Sequence, residues 1–141
     1  MPRLTISVKN AKLVSKNLQD LRAEIPKISK HHLQALGKRV VKQMRVYPPQ
    51  HTGSAYVRTY RLKNSWKATD TAKGIVITGD PVYRGKRYGV FVVGSEKGTG
   101  QAWMHVGNWL LFRDVFDYEM TKVPDAVESS LRYFAKRKGL T

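Results

Sequence analysis

Seven apolar residues near the C-terminus, Phe112, Phe116, Met120, Val123, Val127, Leu131 and Phe134, are spaced by 4, 4, 3, 4, 4 and 3. That spacing tracks the helical turn and places all seven on one face, which must be covered by another part of the fold. Pro124 lies inside the stripe, so a new helix begins there or the old one kinks. Gly139 is a natural terminator. A second stripe runs through Val14, Leu18, Leu21 and Ile25 and continues through Leu33, Leu36, Val40 and Met44. Pro26 disfavours helical geometry at Ile25 but suits a first helical turn, so two helices are predicted, joined near Pro26. Pro48 and Pro49 end the second.

Shorter periods lie outside the stripes. Leu4, Ile6 and Val8 alternate with Thr5 and Ser7, which predicts an N-terminal strand. Residues 61–70 turn into a strand, and the β-branched, Gly-bounded run 74–79 is its antiparallel partner. The apolar run 88–94 is a buried strand or one turn of helix; its length does not decide. Residues 46–60 and 95–109 are long loops, of a kind that often carries function. The expected fold is α+β: a small antiparallel β-sheet packed against a long helix and a C-terminal helix, with two long loops. The 141 residues suit one domain. A strand and helices occupy 1–46, loop and sheet 47–94, and loop and C-terminal helix 95–141.

Charge then narrows the partners. The chain carries 26 basic and 10 acidic residues, a formal net charge of +16. Such an excess favours nucleic acid, a membrane surface or an acidic protein. It is uneven. Residues 25–69 hold Lys27, Lys30, Lys38, Arg39, Lys42, Arg45, Arg58, Arg61, Lys63 and Lys67, with no Asp or Glu. Lys38, Lys42 and Arg45 share one helical face. These three with Arg58, Arg61 and Lys63 are the candidates to face DNA or an acidic partner. Residues 96–131 carry Glu96, Asp114, Asp117, Glu119, Asp125 and Glu128, so copies of the chain could stack basic end to acidic patch. No segment is apolar enough to span a bilayer, and the N-terminus lacks a signal-peptide shape, so a soluble, unsecreted product is expected.

Catalytic patterns are absent. Without cysteine there are no disulfides, thiolate nucleophiles or Cys-based zinc sites. His31 and His32 are neighbours on a helix, about 100° apart, which does not suit a shared metal. His51 lies near Ser54, but no acid between 25 and 69 could orient it. Gly94, Gly98 and Gly100 follow no phosphate-binding pattern. The chain is therefore expected not to be an enzyme and to need no cofactor or metal. Trp66, Trp103, Trp109 and seven tyrosines could stack on bases or pack in the core and interfaces. Tyr56, Trp103, Met104 and Trp109, all placed in loops, are the candidate subunit contacts.

The most distinctive segment is residues 47–66, YPPQHTGSAYVRTYRLKNSW. It resembles the stretch of the tail-component, or neck-protein, family of tailed bacteriophages in which a long helix ends at Ala-Pro or Tyr-Pro. There a loop follows, and an Arg/Thr-Gly-x-Leu-x-x-Ser turn enters the sheet. Here the turn matches Arg58, Thr59, Tyr60, Arg61, Leu62, Ser65 and Trp66, with Tyr60 in place of the glycine; Thr52-Gly53 is a second possible anchor. Tyr88, Gly89, Val90, Phe91, Val92 and Gly94 resemble the family's Tyr-Ala-x-x-Val-Glu-x-Gly segment, with Val93 near the position of the acid. Gln101-Ala102-Trp103-Met104-His105 is similar to variants with the same Tyr-Pro-Pro opening.

The resemblance implies a structural virion protein at the head–tail junction, made in the host cytoplasm. It would act as a homo-oligomeric ring, in a neck, head–tail connector or tail-completion role. Its partners would be further copies, other connector and tail proteins, and double-stranded DNA in the lumen. Residues 50–61 and 95–109 would be its contact loops. The alternative on charge alone is a small basic nucleic-acid-binding protein.

Overall fold

A computed structural model describes residues 11–50, 52–53 and 60–140. The predicted strand at 4–8 lies outside the described residues, as do His51, Tyr56 and Arg58. The order is α1 (Ala11–Met44), α2 (Arg61–Ser65), β1 (Lys67–Thr71), β2 (Gly74–Thr78), β3 (Val82–Tyr83), β4 (Lys86–Arg87), α3 (Gly89–Val93), a single 3-10 turn (Trp103–His105), α4 (Phe112–Met120) and α5 (Val123–Arg137). This is the expected α+β class, with helix predominant and the strands antiparallel.

The two helices expected on either side of Pro26 are one. α1 runs for 34 residues with Pro26 inside it. An internal proline removes one backbone hydrogen bond and crowds the preceding turn. Tertiary contacts on both sides of it oppose a break. On the N-terminal side, Asn17 donates to the Lys138 carbonyl at 2.8 Å and Lys138 pairs with Asp20 at 3.0 Å. On the C-terminal side, His32 Nε2 and Ser130 Oγ are hydrogen-bonded at 2.8 Å. α5 thus splints α1 across the proline. Pro26→Ala restores the helical bond at an exposed site, while the proline's stiffening of the unfolded chain is lost. The net expected gain is about 1 kcal/mol, read as a higher midpoint in urea.

The core gathers on the C-terminal half of α1. Leu36, Val40, Val41 and Met44 are buried against Leu62, Trp66, Val92, Val93, Val115 and Val123. Here the predicted stripe holds. In the N-terminal half it holds only in part: Val14 and Leu21 are half-buried, while Leu18 and Ile25 are exposed. The sheet and α4 cover the other half of the helix, where Gly37 faces Ile75 and Ala68, and Arg39 and Gln43 meet Glu119.

The expected antiparallel pair forms, with Lys67 opposite Thr78 and Thr71 opposite Gly74. It begins later than predicted, because residues 61–65 make a helical turn. Gly37 in α1 lets the sheet approach closely: a Cβ there would run into Ile75 Cδ1 and meet Ala68 Cβ at 3.1 Å. The apolar run left undecided is helix α3, which buries Val92 and Val93 and exposes Val90 and Phe91.

The C-terminal stripe divides at Pro124 as expected, into α4 and α5, with the proline in the first turn of α5. Gly139, at φ 66°, stops α5. The Leu140 N–H returns to the Ala135 carbonyl at 3.0 Å and the Gly139 N–H to Lys136 at 3.1 Å. That is a Schellman cap.

Candidate interaction surfaces

The expected basic face is only partly a single surface. Lys38 and Lys42 are exposed on α1 and form no ion pair among the described residues. Arg45, one turn on, is also exposed but donates to the Trp66 carbonyl at 2.9 Å, tying the end of α1 to the junction between α2 and β1. Arg61 reaches a different partner: it donates to the Val82 carbonyl at 3.3 Å, and its guanidinium carbon lies 4.9 Å from the Tyr83 ring centre. Lys63 is held through its backbone N–H, which donates to the Tyr47 hydroxyl at 3.1 Å, and its ammonium lies 5.9 Å from the Tyr60 ring centre.

The acidic patch is not one exposed surface either. Glu119 is turned inward against α1, where Arg39 and Gln43 donate to it, with Lys122 completing the set at 3.1 Å. Asp117 pairs with Arg113 and Glu128 with Arg132, each along its own helix. Copies stacking basic face to acidic face would therefore find half of these six carboxylates already engaged.

The loop aromatics divide in two. Trp109 packs inward beside the core, with its ring 4.8 Å from Tyr47 in an edge-on contact; Tyr47 also stacks on Tyr60 at 5.2 Å. His105 meets Trp109 edge-on at 6.1 Å, and partial burial lowers its pKa below the ordinary histidine value. Trp103 and Met104 face solvent. Trp103 is 83% exposed, an unusual state for an indole. The 3-10 turn carrying it docks beside α3, with the Ala102 N–H donating to the Phe91 carbonyl at 2.8 Å. Gln101 fastens the loop, its amide donating to the Val92 carbonyl at 2.8 Å and the Trp109 carbonyl at 3.3 Å. Val90 and Phe91 on α3, and Trp103, Met104 and Val106 on and just after the turn docked beside it, are all exposed. Val90 and Phe91 could not be told from core in the sequence, because an apolar run looks the same whichever side it turns outward.

A cleft opens between α1 and α5. It has a volume of about 400 Å³ and is lined by Glu24, Ile28, Ser129, Ser130, Tyr133 and Phe134. Among the described residues no helix is long and apolar enough to cross a membrane. No protein-family model, curated protein or solved structure matches this chain.

Proposed function

We propose that the chain is a structural virion protein of a tailed bacteriophage, a non-catalytic subunit of the neck, head–tail connector or tail-completion ring through which DNA passes. The reading rests on the exposed side chains of Val90, Phe91, Trp103, Met104 and Val106, together with the sequence resemblance. Large exposed apolar side chains on α3 and on a loop fastened beside it by backbone and amide hydrogen bonds favour a protein partner. A closed ring needs two different surfaces on each copy. The aromatic loop supplies one, and the cleft between α1 and α5 is of a size to receive a side chain such as Trp103. The other head–tail connector and tail proteins would meet the remaining faces.

The test is assembly. Sedimentation velocity across a concentration series should show the parent chain entering a defined oligomer. Trp103→Asp should weaken association about thirty-fold, as loss of an aromatic anchor costs about 2 kcal/mol. A parent chain that stays monomeric when concentrated, and is missing from purified particles, overturns the proposal. The second reading, a small basic nucleic-acid-binding protein, is favoured by the +16 charge. It predicts strongly salt-dependent DNA binding by a monomer.

A further inference from the structure

We infer that the β3–β4 hairpin is a contact for the phosphate backbone of duplex DNA. The inference deepens the proposed function, resting on its premise that DNA passes close to this protein, and it names the part that meets it. Residues 82–87 are all exposed, so the hairpin stands away from the core. Its pairing, Tyr83 with Lys86 and Val82 with Arg87, leaves Arg84 and Gly85 as a two-residue tip. Both tip residues have positive φ, 49° and 75°. That is the turn whose twist matches a hairpin, and its first position favours Asn, Asp or Gly. An arginine there is strained by about 1 kcal/mol. The residue is exposed, so burial in the core offers no reason for it. A cation at the tip does.

The surrounding charges agree. The Arg61 and Arg84 guanidinium carbons lie 4.9 and 5.2 Å from the same Tyr83 ring centre. The ring face attracts both and offsets part of their mutual repulsion. Arg61 is further fixed by its bond to Val82. Arg61, Arg84 and Lys86 form no ion pair among the described residues; Arg87 pairs with Asp80 at 2.9 Å on the surface. Guanidinium forks fit phosphate oxygens. Duplex DNA supplies about one charge per 1.7 Å of axis, a density suited to so many cations on one small projection. Another copy of this chain is a poorer match, since Asp117, Glu119 and Glu128 are already paired.

The experiment measures binding of the full chain to a mixed-sequence duplex of about 20 base pairs across a salt series, by fluorescence anisotropy. Arg84→Gly removes the charge and relieves the backbone, so it should weaken binding while leaving the melting temperature equal or higher. The double variant Arg84→Gly/Lys86→Ser should lose at least about ten-fold in affinity, with a log K against log salt slope flatter by about 1.8. Lys12→Ser/Lys16→Ser removes the same charge from the far end of α1 and should change binding less. Equal losses in the two double variants overturn the inference, because the attraction is then diffuse. An equal loss of binding to poly-glutamate also overturns it, in favour of an acidic protein partner. Sedimentation of the same variants keeps the readings apart: normal assembly with unaltered DNA binding refutes the hairpin and leaves the ring standing.

Discussion

Glu119→Ala should lower stability by about 3 kcal/mol, seen as a drop of roughly 10 °C in the thermal midpoint. Glu119 is only 2% exposed, the one charged side chain buried among the described residues. Its carboxylate accepts from Arg39, from Gln43 at 2.7 Å and from Lys122 at 3.1 Å, so α4 is bound to α1 by a satisfied ionic cluster. Deleting it leaves three donors without their acceptor and a void between two helices. The Arg39 and Lys122 side chains are 42% and 45% exposed and can turn to water, which holds the loss near the lower end for a broken buried pair. A midpoint within about 2 °C of the parent's would show that the cluster contributes little.

The same residue sets an acid limit. Burial raises the Glu119 pKa, but the hydrogen bonds from Arg39, Lys122 and Gln43 and the charge of Lys122 outweigh it, so the net shift is downward. The folded state therefore holds this proton less tightly than the unfolded chain does. The stabilisation is complete above the ordinary glutamate value of the unfolded chain and is lost as pH falls through the lower folded value. Glu119→Gln should flatten the acid limb of the stability–pH curve.

Gly79→Ala should cost about 3 kcal/mol through a clash rather than a lost contact. A Cβ on Gly79 would enter the Trp66 ring at Cδ2, Cε3 and Cε2. Trp66 is buried and stacked on Phe112, with centroids 5.4 Å apart. The offending atoms are the middle of a held indole, not the end of a flexible chain, so relief requires moving strand or core. Gly107→Ala is the comparison. Its φ of 79° disfavours a side chain, but a Cβ meets nothing within 4 Å, so about 1 kcal/mol is expected. Urea unfolding decides between them; a Gly79→Ala cost no greater than that of Gly107→Ala would contradict the packing argument.

Much of the candidate surface was legible only in fragments. Trp103 and Met104 were open to inspection as loop residues, but the exposure of Val90 and Phe91 became visible only once α3 turned those side chains outward. The hairpin carried a faint signal, a residue-Gly pair between short β-prone stretches, obscured because arginine is a poor occupant of that turn. Arg39 and Gln43 stood one turn apart in the sequence, yet nothing local announced that Glu119, far along the chain, would meet them.

The amino-acid order by itself determined the features that depend on near neighbours. These were the helical stripe from Leu33 to Met44, the division at Pro124, the stop at Gly139 and the antiparallel strand at 74–78. Each follows from steric rules and side-chain period within a few residues. Tertiary structure decided the rest: the continuity of α1 through Pro26, the inward turn of Glu119 and Trp109, and the outward face of α3. Those outcomes depend on which surface another element covers, and the free energy that selects them comes from burial and ion pairing between residues far apart in the chain.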